Sequence, residues 1–312
     1  MEKQEIAVVF PGQGSQRPGM GKDFYDNIPA SRNTYDEASD ALGWDVAAMC
    51  FGADERLDLT EYAQPCILTT EIAMLQGLHS LYDFSPSFFG GHSLGEYTAL
   101  VAADVLPLPE ALQVVQLRGN LMQEAVPVGV GSMSAVISDN IDVDMICNVL
   151  AGLPVDVANI NSEDQIVISG ESNAMPEAQK LLIAATKDQA FRFVPLNVSA
   201  PFHSRFMNII KEAFKEILGA LCKRLTLGGA KRVTSNFTGE FHSDKLDEIV
   251  DRLASQLSNT VRWRDNMRVL ASKADKIYEI GPRRPLRSFF KTVDVKCSSI
   301  TTLSAAKRIF ED

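Results

Sequence analysis

Gly91-His92-Ser93-Leu94-Gly95 narrows what this chain can fold into more than any other stretch. A serine stands between glycines placed two residues away on each side. The apolar pair Phe88-Phe89 precedes it, and Leu94, Tyr97, Thr98, Leu100 and Val101 follow at helical spacing. Glycines at those offsets let a backbone turn sharply from strand to helix and hold a hydroxyl clear of its neighbours. The bare pattern recurs by chance, so its surroundings carry the argument.

Those surroundings predict an α/β fold. Ile6-Ala7-Val8-Val9-Phe10 is a continuous apolar run closed by Pro11-Gly12, as in a buried strand of a parallel sheet. Helical spacing covers residues 31–42 and 65–81, and the next strand is Phe88-Phe89. The order then changes. A strand is predicted at 132–137, a helix at 142–150, strands at 155–160 and 165–169, a helix at 176–186 and a strand at 191–198. That βαββαβ order is ferredoxin-like. It predicts a small domain at 128–198 inserted into a larger one made of 1–127 and 199–312. The larger domain resumes with strands near 232–235 and 276–280 and a helix at 246–257.

Composition excludes several classes. Of 312 residues, 46% are hydrophobic and 22% charged, the balance of a soluble globular protein with a core. No apolar run approaches a membrane span. Met1-Glu2-Lys3-Gln4-Glu5 lacks the basic-then-apolar order of a secretion signal. The five cysteines are scattered without metal or redox spacing, which predicts reduced thiols in a cytoplasmic protein and no metal. A net charge of −10 argues against nucleic acid as a partner. Basic residues nevertheless crowd the C-terminal third, from Lys223, Arg224, Lys231 and Arg232 through Arg262, Arg264 and Arg268 to Arg283, Arg284, Arg287 and Lys291. They form either an ordinary mixed surface or a face for an anionic ligand or acidic partner.

A serine needs a base to become a nucleophile, and there are four histidines to consider. His92 adjoins Ser93, but its side chain is expected to point away. His79 ends a helix in a polar context. His242 lies in a loop-like stretch with nothing beside it to recommend it. His203 follows the predicted strand at 191–198, and the end of a sheet strand is where α/β proteins place their sites. It is the base candidate by position and elimination. Gly12-Gln13-Gly14-Ser15-Gln16 follows the first strand and is read as an oxyanion-binding loop or a plain tight turn. Arg17 stands where a dinucleotide fingerprint requires its third glycine, so a nucleotide loop is excluded. Arg118 falls within the apolar stripe of Ala111, Val114, Val115, Leu121, Met122 and Ala125. A guanidinium facing inward requires a partner. An internal salt bridge or a side chain snorkelling to solvent is one reading, and a clamp for a substrate carboxylate is the other.

Taken together these blocks resemble the malonyl-CoA:acyl-carrier-protein transacylase family. The resemblance runs through Phe10-Pro11-Gly12-Gln13-Gly14-Ser15-Gln16, Gln64-Pro65, Gly91-His92-Ser93-Leu94-Gly95-Glu96-Tyr97 and Gln116-Leu117-Arg118-Gly119. It continues through Asn159-Ile160-Asn161-Ser162, Val167-Ile168-Ser169-Gly170, His203, Asn236-Phe237-Thr238-Gly239 and Glu279-Ile280-Gly281-Pro282. It implies an α/β-hydrolase-like large domain with the ferredoxin-like insertion. It implies that Ser93 attacks the thioester and His203 is its general base. The backbone N–H groups of Gln13 and Leu94 would hold the oxyanion. Gln256 matches the position whose backbone carbonyl orients the histidine, and Arg118 the position that binds the malonate carboxylate. Phe202 resembles the bulky residue of malonyl-selective members. The implied substrates are malonyl-CoA and an acyl carrier protein, with no cofactor beyond the coenzyme A thioester itself. The chain departs from the family at Arg283-Arg284-Pro285-Leu286-Arg287, where small and apolar residues are usual.

Two other functions share these residues. One is a hydrolase that strips stalled acyl groups from carrier proteins. The other is a non-catalytic carrier-docking subunit on the same fold. Arg118 argues against the first, because a neutral acyl chain gives its charge no partner. The intact Ser93, His203 and Arg118 argue against the second.

Overall fold

A computed structural model describes residues 4–185, 191–198, 200–222 and 225–311. Of the positions named above, Met1, Glu2, Lys3, residue 186 at the predicted helix end, residue 199 at the predicted domain boundary, Lys223, Arg224 and residue 312 lie outside the described residues.

Two four-stranded sheets organise the chain. The first runs in the order β2-β1-β7-β8 and is wholly parallel, with β1 Ile6–Phe10, β2 Phe88–Gly91, β7 Lys276–Ile280 and β8 Cys297–Ile300. Alternate residues of β1 point to opposite faces. Val8 and Phe10 enter a large core with Phe24, Tyr35 and Leu68. Ala7 and Val9 enter a second core with Trp263, Met267 and Phe290. A strand buried on both faces has no polar side to show, which is why β1 reads as an unbroken apolar run.

The second sheet runs β4-β5-β3-β6 and is antiparallel, with β3 Gly131–Ile137, β4 Val155–Ile160, β5 Gln165–Glu171 and β6 Arg192–Pro195. With helices Val143–Leu150 and Met175–Ala185 it forms the ferredoxin-like unit read from the sequence. One face of this sheet covers its own core of Val136, Ile146, Val157, Ile168 and Leu182. Met133, Ala135, Ala158 and Val167 pack on the large core instead. Bonds from Ile160 N–H to Val261 O at 2.9 Å and from Val261 N–H to Ala158 O at 2.8 Å tie β4 to Val261, whose side chain lies in the core with Ala7 and Val9 of β1.

The structure alters some expected elements. No strand forms at 232–235. Val233 and Thr234 make single bridges to Phe89 and Phe241, because the chain turns back on itself with Ser235 N–H on Glu240 O and Gly239 at φ +78°. The second long helix starts at Thr60, so Pro65 lies inside it rather than at its start. Helix Asn208–Leu221 and strand β8 were not expected. In β8 two serines interrupt the apolar signal.

Candidate active site

Ser93 sits where β2 meets helix Gly95–Ala102, and its φ is +52°. A non-glycine residue in this left-handed region costs about 1 kcal/mol or more. The flanking glycines make the turn possible. A Cβ on Gly91 would lie 1.9 Å from the Gly95 carbonyl carbon, and one on Gly95 would lie 2.2 Å from Phe10 O. The loop after β1 presses on the same turn, since a Cβ on Gly12 would meet His92 O at 2.5 Å. Asn236 fixes the turn from below. Its Oδ1 accepts the Ser93 N–H at 2.6 Å, and its Nδ2 donates to Gly91 O and Asn266 Oδ1.

His203 reaches Ser93 from 110 residues away, with Nε2 2.8 Å from Oγ. Its Nδ1 is 2.8 Å from the backbone carbonyl of Gln256. A carbonyl only accepts, so Nδ1 carries the proton and Nε2 is left bare toward the hydroxyl. Burial, then the Arg118 charge, pushes the His203 pKa down to about 3, against the pull of the Gln256 carbonyl. The imidazole is therefore neutral and able to accept a proton at physiological pH. His203 also has a positive φ, +56°. Ser93 and His203 are thus both held in strained backbone, a pattern found at sites whose geometry is over-determined.

Arg118 closes the third side. It is 1% exposed on helix Leu108–Glu124. Gly119 lets that helix approach closely, for a Cβ there would lie 2.6 Å from Thr60 O. The Arg118 Nη1 donates to Gln64 Oε1 at 2.9 Å, and Nη2 donates to Gln256 Oε1 at 2.8 Å and to Ser93 Oγ at 3.1 Å. The guanidinium lies over the Tyr97 ring at 5.3 Å. Burial lowers its pKa. Neither alternative reading of Arg118 is met. The side chain does not snorkel, and among the described residues no carboxylate lies within ion-pair distance. Its hydrogen-bond partners are neutral, two amides and a hydroxyl, and the charge of Glu96 acts on it only from beyond ion-pair distance.

Ser93, His203, Arg118 and Gln256 thus meet at one point. Leu94 follows the nucleophile, and Gln13 lies in the loop pressed on the elbow, its side chain donating to Thr60 Oγ1 at 3.2 Å. The backbone N–H groups of Gln13 and Leu94 make no hydrogen bond to the described residues. Phe202 is buried in the large core beside the base. Among the other histidines, His92 points away from Ser93 to Asn161 Oδ1 at 2.8 Å, and His79 is exposed. The reading of His242 is corrected. It is buried with Nε2 2.8 Å from Glu96 Oε1. Sequence reasoning also gave no role to Gln64, Glu96 or Asn236, although all three lie within quoted motifs.

Many of the C-terminal basic residues are spoken for. Lys231 pairs with Asp244, Arg262 with Asp265, and Arg264 and Arg268 with Glu163. Arg283, Arg284, Arg287 and Lys291 are exposed and make no ion pair among the described residues. Arg284, Arg287 and Lys291 line a recess of ≈ 330 Å³ with Ser288. The segment begins beside the oxyanion-loop candidate, because Arg17 Nε donates to Pro282 O at 2.9 Å and Gly281 packs on Pro11.

Comparison with known proteins places the chain in a family. Residues 7–282 match the model of the acyl transferase domain family. A malonyl CoA-acyl carrier protein transacylase of Bacillus subtilis is 38% identical over 303 residues, covering 95% of this chain and 92% of that protein. The crystal structure of a malonyl-CoA:acyl carrier protein transacylase from Xanthomonas oryzae superposes with a TM-score of 0.90 at 34% identity, covering 100% of this chain and 99% of the other. A type II polyketide malonyl-transacylase solved with its acyl carrier protein gives a TM-score of 0.87 at 33% identity, covering 98% and 99%.

Proposed function

The chain belongs to the acyl transferase domain family, and from its site we propose the chemistry of a malonyl-CoA:acyl carrier protein transacylase serving a fatty acid or polyketide synthase. The Ser93 hydroxyl gives its proton to His203 Nε2 as Oγ attacks the malonyl thioester carbonyl. The backbone N–H groups of Leu94 and Gln13 receive the developing oxyanion. Collapse expels the coenzyme A sulfur, which takes the proton from the imidazolium and leaves malonyl on Ser93. The phosphopantetheine thiol of the carrier then gives its proton to Nε2 and attacks the ester; the carrier departs with the malonyl group as Ser93 Oγ leaves and takes the proton back from the imidazolium. Gln256 O holds the imidazole in the useful tautomer in both halves. The chemistry needs no cofactor beyond the thioester substrate.

The observation that carries this reading is Arg118, buried beside Ser93 with no carboxylate within ion-pair distance among the described residues. Malonate supplies one. Phe202, next to the base, crowds an α-methyl group and disfavours methylmalonyl by a modest factor. The free basic residues Arg283, Arg284, Arg287 and Lys291 form the docking face for an acidic carrier. Five free cysteines suit a reducing cytoplasm.

Intact-protein mass measurement tests the reading. Malonyl-CoA should add one malonyl group, absent in Ser93→Ala, and holo-carrier should remove it as malonyl-carrier. Release to water in the presence of holo-carrier identifies a hydrolase instead, and no mass shift rejects covalent catalysis.

A further inference from the structure

The side-chain amide of Gln256 has one orientation open to it, and Glu96 decides which. Glu96 lies in the first turn of helix Gly95–Ala102 and is fully buried. A carboxylate presents only acceptors. Its Oε2 receives Gln256 Nε2 at 2.7 Å and Asn236 N–H at 3.0 Å. Gln256 Nε2 also donates to Ser93 O at 3.0 Å, so both of its hydrogens point toward the elbow. The Oε1 atom must then face the other way, where it receives Arg118 Nη2 at 2.8 Å. Turned over, the amide would aim N–H groups at a guanidinium in a buried place, donor against donor.

His242 completes the device. Its Nε2 meets Glu96 Oε1 at 2.8 Å, and its Nδ1 is buried with no hydrogen-bond partner among the described residues. The contact with Glu96 is therefore the one polar use of this ring. We propose that Glu96, braced by His242, is a positioning residue for acyl selectivity: it sets the amide of Gln256 so that Arg118 stays aimed over Ser93. The proposal rests on reading Arg118 as the carboxylate clamp. The base depends on Gln256 differently, through the backbone carbonyl, which an amide flip does not move. Losing Glu96 therefore disturbs the clamp more than the base.

The experiment measures kcat/KM for acylation of Ser93 by malonyl-CoA and by acetyl-CoA and compares their ratio. Glu96→Leu should lower the malonyl-to-acetyl ratio about tenfold, the scale of one lost bond to a charged group. Glu96→Gln keeps a carbonyl for Gln256 Nε2 and should stay within about threefold of the parent ratio. A general loss of structure would lower both substrates together and leave the ratio alone. An unchanged ratio in folded Glu96→Leu, or a fall in Glu96→Gln as deep as in Glu96→Leu, overturns the proposal. Should Glu96→Leu not fold, His242→Leu decides, with a fall of about threefold in support and no change against. Arg118→Ala separates the two levels. If it leaves the ratio intact, the clamp reading itself fails; if it collapses the ratio while the Glu96 variants do not, only the positioning role fails.

Discussion

Arg118 Nη2 donates to Ser93 Oγ at 3.1 Å, so a buried cation touches the hydroxyl of the elbow, and in the proposed function that cation is the clamp for an acyl carboxylate. Arg118→Ala should therefore cut malonyl loading by roughly 10²–10³, the scale of breaking a buried ion pair. Acetyl loading should fall far less. Rates for the two acyl-CoAs, measured side by side, check this, and equal losses would rule out the clamp.

His203, the proposed base, should show no titration in the usual range of an imidazole. Its pKa of about 3 lies below the ordinary 6.5. Acylation should run flat from about pH 5 to pH 8, because neutral imidazole is present throughout. His203→Ala should slow acylation by roughly 10²–10⁴. An inflection near 6.5 in the parent's acylation rate would contradict the burial argument. The same shift carries a stability consequence. Between pH 6.5 and about 3 the unfolded chain binds a proton at this residue that the folded chain refuses, so its contribution is full above 6.5 and lost as the pH falls.

Glu71 and Glu279 predict the opposite trend. Burial raises both, Glu71 well above 4.5 and Glu279 up to about 7, and the charge of Glu279 adds to the shift of Glu71. The folded chain keeps protons that the unfolded chain releases, so their contribution is full below 4.5 and lost as the pH rises through the folded values. Glu71→Gln should melt a few degrees above the parent at about pH 9, with the gap closing toward about pH 5. Thermal melts across this range decide, and parallel curves would show that Glu71 ionises normally.

Charge reversal at Arg283 and Arg284 should slow transfer to holo-carrier about tenfold at low salt and spare acylation by malonyl-CoA. Added salt should shrink the difference. Carrier kinetics that match the parent's would place docking elsewhere.

How far the site could be read from the chain depended on how local its physics is. The elbow was legible because Gly91, Ser93 and Gly95 solve a steric problem within five residues. Arg118 was legible because a charge inside an apolar stripe is an anomaly that periodicity exposes. His203 emerged from its place after a strand. Gln256 acts through its backbone carbonyl, which any residue possesses, so resemblance alone pointed to it. The bond between Glu96 and His242 spans 146 residues and leaves no local trace, which is why His242 looked idle. The parallel sheet was half legible: β1 declares itself by unbroken apolarity, whereas β8 hides behind two serines.

The imidazole stands two residues past Pro201, which rests so tightly on the first residue of β3, a strand of the antiparallel sheet, that a Cβ on Gly131 would lie 2.2 Å from it. The hydroxyl belongs to the parallel sheet. Their separation is accordingly a gauge of how the two layers are seated, and an error of about one ångström can cost about a hundredfold in rate. Substitutions along that seam will slow turnover without meeting any reacting atom. A crippled variant there is evidence about alignment, and does not by itself enrol the altered residue in the chemistry.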